Sequence, residues 1–170
     1  KRGLFGAMES RLKERAILST NTSSIPLEAI AEGLTDPGKL VGIHFFNPVA
    51  IMPLVEIVHG DKTKLLSTER AAAFTRAIDR LPLSVMSAPG FLVNRALMPY
   101  LLEAVTLLEE GAPELAIDAA ALEFGMPMGP LEVSDRVGLD ICLHVGQILT
   151  RDLGGTVPTR LQHMVDRGDK

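Results

Sequence analysis

The stretch LVGIHFFNPVAIMPLVEIV, residues 40–58, contains two short apolar runs that decide the fold class. The first run, residues 40–46, has the length and composition of a buried strand, and such runs are typical of parallel sheets. The second run, residues 54–58, predicts another strand after an irregular connection. These two runs indicate that the first part of the chain is built around a sheet.

Helices and strands alternate on both sides of this stretch. A short strand at residues 16–19 precedes it, and a helix then begins near Pro26 and ends near Gly33. A helix over residues 67–81 and a strand over residues 82–86 follow it. The positions predicted to face inward on the later helix are Ala71, Phe74, Ala77 and Ile78. Such alternation predicts an α/β layer.

After residue 88 the pattern changes to helices alone. The predicted helices cover residues 91–110, 114–124, 131–149 and 159–166. Gly125 follows the second of them, and Gly138 divides the third. Because no strand pattern recurs, the sequence predicts an α/β domain over residues 1–88 and an all-α domain over residues 89–170.

Composition and charge argue against several function classes. The 170 residues are 46% apolar and 22% charged, which is enough apolar material for one or two small cores. A net charge of −4 with scattered basic residues argues against nucleic-acid binding. The apolar stretches are too short to span a bilayer, so no stable membrane insertion is expected. The single cysteine, Cys142, excludes an internal disulfide and predicts a cytoplasmic protein.

Polar residues on the two strands of the opening stretch mark a candidate site. Ligands of open α/β sheets bind at the carboxyl ends of strands. His44 ends the first strand, and Glu56 lies on the second. A histidine paired with a carboxylate has a fixed tautomer and raised basicity, which suits a general base near neutral pH. The alternative is a buried histidine bonded to the backbone, and sequence spacing alone favours that alternative.

Two other polar segments are candidates. Residues 20–24, TNTSS, could supply a hydroxyl to a substrate oxygen or form a turn that caps a helix. Asn94 lies near the start of an apolar helix, where it could point across the domain boundary or bind the backbone or solvent. No metal site is expected, because the remaining histidines lack ligand spacing. No GxGxxG or Walker motif occurs in the sequence.

Several motifs occur together in a fixed order. They are NTSS at residues 21–24, GIHFFNPV at 42–49, LVEIV at 54–58, PGFLVNR at 89–95, GMPMGP at 125–130 and VGLD at 137–140. Over most of residues 1–150 these motifs resemble the 3-hydroxyacyl-CoA dehydrogenase family. Residues 124–149 are more similar to the multifunctional β-oxidation proteins, which also carry an enoyl-CoA hydratase domain. The resemblance implies the carboxy-terminal portion of a Rossmann-like NAD-binding domain followed by a helical C-terminal dehydrogenase domain.

The resemblance also implies a reaction and catalytic roles. The family oxidises (S)-3-hydroxyacyl-CoA to 3-ketoacyl-CoA in fatty-acid β-oxidation. His44 would be the general base for the 3-hydroxyl, and Glu56 would orient His44. Ser23 would hydrogen-bond the reacting oxygen, and Asn94 would position the thioester end of the substrate.

NAD is the cofactor that the resemblance implies. Ser23, Asn47 and Lys1 match positions that contact the cofactor in the family. The implied partners are the 3-hydroxyacyl-CoA substrate, further copies of the chain in a homo-oligomer, and a thiolase in a larger complex.

The sequence lacks the glycine-rich first βα turn through which the family binds NAD. We therefore expect a fragment that lacks most of the nucleotide-binding half, binds NAD poorly or not at all, and has no appreciable turnover. Exposed sheet edges in such a fragment favour self-association. Two alternatives are a dehydrogenase for a 3-hydroxy acid without CoA and a non-catalytic assembly module. The joint presence of Ser23, His44, Glu56 and Asn94 argues against the second.

Overall fold

The structure is a computed structural model that describes residues 2–23 and 25–169. Its contacts divide the chain into two compact units, one extending to Leu92 and the other beginning at Val93. The sequence predicts one domain over residues 1–88 and another over residues 89–170. The observed division falls shortly after that predicted boundary. Those limits stay a prediction, because compactness alone does not define a functional domain.

The first unit contains a four-stranded sheet. Its strands are β1 (Leu18–Thr20), β2 (Leu40–Phe45), β3 (Leu54–His59) and β4 (Leu81–Met86), which lie side by side in that order. β2 is parallel to β1 but antiparallel to β3, and β4 is parallel to β3. The prediction of a parallel-sheet strand at residues 40–46 is therefore right for one neighbour and wrong for the other. Residues 46–53 are too few for a parallel crossover, which takes a dozen or more residues.

Helices cover both faces of this sheet. They are α1 (Arg2–Glu9), α2 (Leu27–Ala31), a 3-10 turn (Pro37–Lys39) and α3 (Leu65–Ala77). On α3 the buried residues are Ser67, Ala71 and Thr75. The prediction that Phe74, Ala77 and Ile78 face inward is wrong, since all three are exposed. The buried stripe consists of small and hydroxyl side chains, so hydrophobic periodicity gives no sign of it.

Alternation along the strands separates the two faces of the sheet. Leu40 and Val58 belong to one buried cluster, together with Phe5 and Phe91. The strand residues that alternate with these, such as Val41 and Ile57, belong to a second buried cluster on the other face, which also includes Ala71 of α3. Successive strand side chains point to opposite faces, so the even-numbered positions of β2 and β3, which include His44 and Glu56, share the face of Leu40 and Val58.

The second unit is helical, as the sequence predicts. Its helices are α4 (Val93–Glu109), α5 (Glu114–Phe124), α6 (Pro130–Val137), α7 (Leu139–Leu153) and α8 (Thr159–Asp166). Gly125 ends α5 with φ 108, and Gly138 separates α6 from α7 with φ 104. Both values lie in the left-handed region that favours glycine. No helix formed by residues 2–23 and 25–169 is long and apolar enough to cross a membrane.

A carboxylate on α5 fixes the start of α6. Asp118 Oδ1 accepts the N–H of Leu131 at 2.8 Å, and Oδ2 accepts the N–H of Glu132 at 3.1 Å. A Cβ at Gly129 would lie 2.2 Å from Asp118 Cγ. Glycine is therefore required at residue 129 for the carboxylate to reach the helix start. Capping of this kind stabilises a helix because the first N–H groups lack partners within the helix.

Candidate active site

His44 and Glu56 form a buried pair on adjacent strands. They are register partners in the antiparallel pair of β2 and β3. His44 Nδ1 lies 2.8 Å from Glu56 Oε2, and the two side chains are 7% and 0% exposed. Directly opposite residues of an antiparallel pair lie on the same face with their Cβ atoms close together. The pairing of the strands therefore brings the imidazole and the carboxylate together.

The contact with Glu56 determines the tautomer of His44. An ionised carboxylate only accepts hydrogen bonds, so the proton of the neutral imidazole is on Nδ1. Nε2 is then the basic nitrogen of the ring. The same carboxylate stabilises the imidazolium that forms when Nε2 takes up a proton. An arrangement of this kind can act chemically as a general base with an orienting carboxylate.

A backbone N–H and two aromatic rings also contact this pair. Glu56 Oε1 accepts the N–H of Leu92 at 3.0 Å. The ring centroids of Phe46 and Phe91 lie 4.7 and 5.5 Å from that of His44, with interplanar angles of 65° and 66°. Charged hydrogen bonds hold a buried carboxylate in place, and edge-to-face rings favour one orientation of the imidazole.

The loop after β1 is attached to the strand that carries His44. Asn21 Oδ1 accepts the N–H of Phe45 at 2.9 Å, and Thr22 Oγ1 accepts the N–H of Ile25 at 3.0 Å. Ser23 is half-buried in this loop. Since β1 and β2 are parallel, the loop with Ser23 follows the carboxyl end of β1 at the edge where β2 also ends, one residue after His44.

Each of the remaining predicted site residues that the structure covers is described by its place in its own unit. Asn47 is exposed just after β2, and its peptide bond to Pro48 is cis. Asn94 is half-buried in the first turn of α4, within the second unit. Lys1 and Ser24 lie outside the described residues. The roles of Ser23, Asn47, Asn94 and Lys1 toward substrate or cofactor stay predictions.

Three contacts at this site are absent from the expectations drawn from the sequence. The Asn21 amide carries the link to β2, although the sequence pointed to the hydroxyls beside it. The N–H of Leu92 binds Glu56, and a backbone donor leaves no sequence signal. Phe91 lies in the PGFLVNR motif, but its contact with His44 follows only from the fold.

Two other titratable side chains, Cys142 and Tyr100, belong to the helices of the second unit. Cys142 is buried, as expected of a core residue, and burial raises the pKa of its thiol. Burial also raises the pKa of the Tyr100 hydroxyl. Among residues 2–23 and 25–169, no three His, Cys, Asp or Glu side chains are grouped so that they could hold a metal ion.

Comparisons with known proteins cover both units. Residues 1–88 match the family model described as "3-hydroxyacyl-CoA dehydrogenase, NAD binding domain", and residues 90–170 match the corresponding C-terminal domain. A 3-hydroxybutyryl-CoA dehydrogenase of Clostridioides difficile is 37% identical over 92% of the chain and 56% of its own length. A fatty acid oxidation complex subunit alpha of Pseudomonas entomophila is 40% identical over 85% of the chain and 20% of its own length.

A solved structure gives the same similarity in three dimensions. The 3-hydroxybutyryl-CoA dehydrogenase of Escherichia coli K12 superposes with a TM-score of 0.91 at 37% identity, covering 98% of this chain and 37% of that one. The chain therefore spans about half or less of the length of these relatives. The similarity extends over both units, including the strands that carry His44 and Glu56.

Proposed function

Because the chain belongs to the 3-hydroxyacyl-CoA dehydrogenase family, we propose that it carries the proton-transfer part of an NAD-dependent (S)-3-hydroxyacyl-CoA dehydrogenase. In this reaction the 3-hydroxyl loses its proton and C3 loses a hydride, which gives the 3-ketoacyl-CoA. The observation that supports the proposal most is the buried pair of His44 and Glu56, with Nδ1 2.8 Å from Oε2.

His44 is the proposed general base. With its proton on Nδ1, the ring takes the hydroxyl proton at Nε2, and Glu56 stabilises the resulting imidazolium. Ser23 is the proposed donor to the reacting oxygen. Asn94 is proposed to bind the thioester end of the substrate. A general base positioned in this way typically contributes about 10²–10⁴-fold to the rate.

NAD, when bound, accepts the hydride. The polar groups at the carboxyl edge of β1 and β2 fit its nicotinamide end. Ser23 offers a half-buried hydroxyl and Asn47 an exposed amide, and both groups donate and accept hydrogen bonds. We propose that these two residues, together with Lys1, contact the cofactor.

The proposed substrates are 3-hydroxyacyl thioesters of CoA. One matched relative is named for 3-hydroxybutyryl-CoA, and another is a subunit of a fatty acid oxidation complex. A thiolase is the proposed partner in such a complex, because a thiolase consumes the 3-ketoacyl-CoA product. The cytoplasm is the proposed location, since a single buried thiol suits a reducing compartment.

A homo-oligomer is also proposed, and the apolar surface of the helical unit supports it. Leu115 and Phe124 are 85% and 89% exposed on α5. An apolar groove of ≈ 440 Å³, lined by residues such as Leu107 and Ile117, lies between α4 and α5. Exposed apolar patches of this kind commonly mark interaction surfaces.

NADH formation tests the proposed activity. The complete natural protein that carries these residues is incubated with NAD and either 3-hydroxybutyryl-CoA or free 3-hydroxybutyrate. We expect NADH from the thioester and at least about tenfold less from the free acid, since the acid lacks the binding energy of CoA. Preference for the free acid would favour a dehydrogenase for non-CoA substrates. No NADH from either substrate would contradict a dehydrogenase role.

A further inference from the structure

The turn at residues 88–92, after β4, has an unusual backbone. Gly90 has φ 72 and Phe91 has φ 49, and the N–H of Phe91 donates to the carbonyl of Ala88 at 3.0 Å. A positive φ is unfavourable for a bulky residue and persists only where the surrounding structure enforces it. Phe91 is nevertheless only 4% exposed. The turn is therefore held in a strained conformation with an aromatic ring in the core.

Consecutive residues of this turn contact both members of the pair. The N–H of Leu92 donates to Glu56 Oε1 at 3.0 Å. The ring of Phe91 meets that of His44 edge to face, with centroids 5.5 Å apart. The hydrogen bond at Nδ1 alone leaves the imidazole able to tilt and twist about that bond, and the ring of Phe46, just after β2, also packs against it edge to face with centroids 4.7 Å apart. An aromatic edge against the ring opposes such motion because the two rings pack at a fixed angle.

We propose that Phe91 is a positioning residue for His44, and that the strained turn at residues 88–92 holds the imidazole and the carboxylate of Glu56 in register. This inference rests on the proposed function, in which His44 is the base. Phe91 restricts the ring to the orientation in which Nδ1 meets Glu56, so Nε2 has a fixed direction. Displacements well below the size of a side chain lower rates strongly when a base must meet a substrate proton.

The substitution Phe91→Leu isolates the ring contact. Leucine, like phenylalanine, is a bulky residue without β-branching, so it bears a similar backbone cost at φ 49, and it keeps most of the apolar burial. The substitution removes the aromatic ring of residue 91 that packs edge to face with His44. Phe5→Leu is the matched control, because Phe5 is 7% exposed and belongs to the same buried cluster as Phe91. Both variants leave a comparable void in one core.

Two measurements on the complete natural protein test the proposal. The first is kcat and KM for 3-hydroxybutyryl-CoA. The second is the pair of ¹⁵N chemical shifts of the His44 imidazole, which report where its proton resides. For Phe91→Leu we expect kcat to fall about tenfold with KM within about twofold, and the two shifts to move toward each other as tautomers mix. For Phe5→Leu we expect both readouts within about twofold of the unsubstituted protein.

Unchanged kcat and unchanged imidazole shifts in Phe91→Leu would overturn the proposal, and so would equal changes in Phe5→Leu. Phe91→Met, which also lacks the ring, replaces Phe91→Leu if the latter does not fold. The imidazole shifts need no turnover. Failure of the proposed function, seen as full activity in His44→Ala, is therefore distinguishable from failure of Phe91 to position the ring.

Discussion

His44 and Glu56 occupy directly opposed positions in the antiparallel pair of β2 and β3, with Nδ1 2.8 Å from Oε2. A slip of one residue between these strands would place the two side chains on opposite faces of the sheet. The pair therefore depends on the register, which is set by the short connection at residues 46–53 and by the apolar residues that alternate with the pair. The pair therefore forms only when β2 and β3 pair in this register.

Glu56→Gln is expected to lower kcat by about a hundredfold or more, because an amide cannot satisfy both contacts. If the amide oxygen accepts from Leu92, its NH₂ group faces His44 and shifts the ring proton to Nε2. If the oxygen accepts from His44, the NH₂ group of the glutamine faces the N–H of Leu92, and both of these groups are donors. Glu28→Gln is the control, since Glu28 accepts from Ser87 outside this site. Similar kcat values for the two variants would argue against the orienting role of Glu56.

Asn21→Ala is expected to lower the free energy of unfolding by about 1 kcal/mol, since it leaves the N–H of Phe45 without its side-chain acceptor. Asn21→Asp keeps an acceptor oxygen and is expected to retain most of the stability. Urea unfolding measures both variants. An equal loss in the two would mean that the hydrogen bond to Phe45 contributes little.

Asp118→Ala is expected to destabilise the helical unit by about 1–2 kcal/mol, because the N–H groups of Leu131 and Glu132 lose their cap. Gly129→Ala should have a similar effect, because the added methyl displaces the same carboxylate. Chemical unfolding monitored by circular dichroism tests both. Wild-type stability in Gly129→Ala would contradict the close approach of Asp118 to the start of α6.

The stability of the first unit is expected to fall in acid through Glu9. The N–H groups of Asp36 and Thr35 donate to its carboxylate and lower its pKa below the ordinary value. A group with a lowered folded pKa stabilises the protein above its unfolded pKa, about 4.3 for glutamate, and loses that contribution as pH falls through the folded pKa. As the pH is lowered from ~5 to ~3, the midpoint of unfolding should therefore fall less steeply in Glu9→Gln than in the unsubstituted protein. Glu14→Gln, at an exposed carboxylate, is the control, and matching slopes in all three proteins would contradict the prediction.

The sequence predicts where the helices and strands lie better than it predicts which side chains they bury and which strands they pair with. Apolar runs predict all four strands, and Gly125 and Gly138 indicate where helices end, because these signals are local. The inward face of α3 was predicted correctly only at Ala71, since Ser67 and Thr75 are also buried there and their hydroxyls donate to backbone carbonyls. The antiparallel sense of β3 follows from the length of a loop and not from the strand composition.

The residues of the candidate site are predictable in part, because they too leave a local signal in the sequence. His44 and Glu56 stand out as polar residues within apolar strands, so the sequence offers their pairing as one hypothesis beside a histidine bonded to the backbone. The N–H of Leu92 reaches Glu56 across 36 positions in the chain. No residue type encodes a backbone donor, so this contact emerges only when β4 and the turn after it are in place.

The most direct test of His44 as the general base is the rate of NADH formation from 3-hydroxybutyryl-CoA in the complete natural protein. His44→Ala is compared with His59→Ala, a histidine at the far end of β3. We expect kcat to fall by about a hundredfold or more in His44→Ala, and to stay within about twofold in His59→Ala. Full activity in His44→Ala would contradict the assignment of His44 as the base.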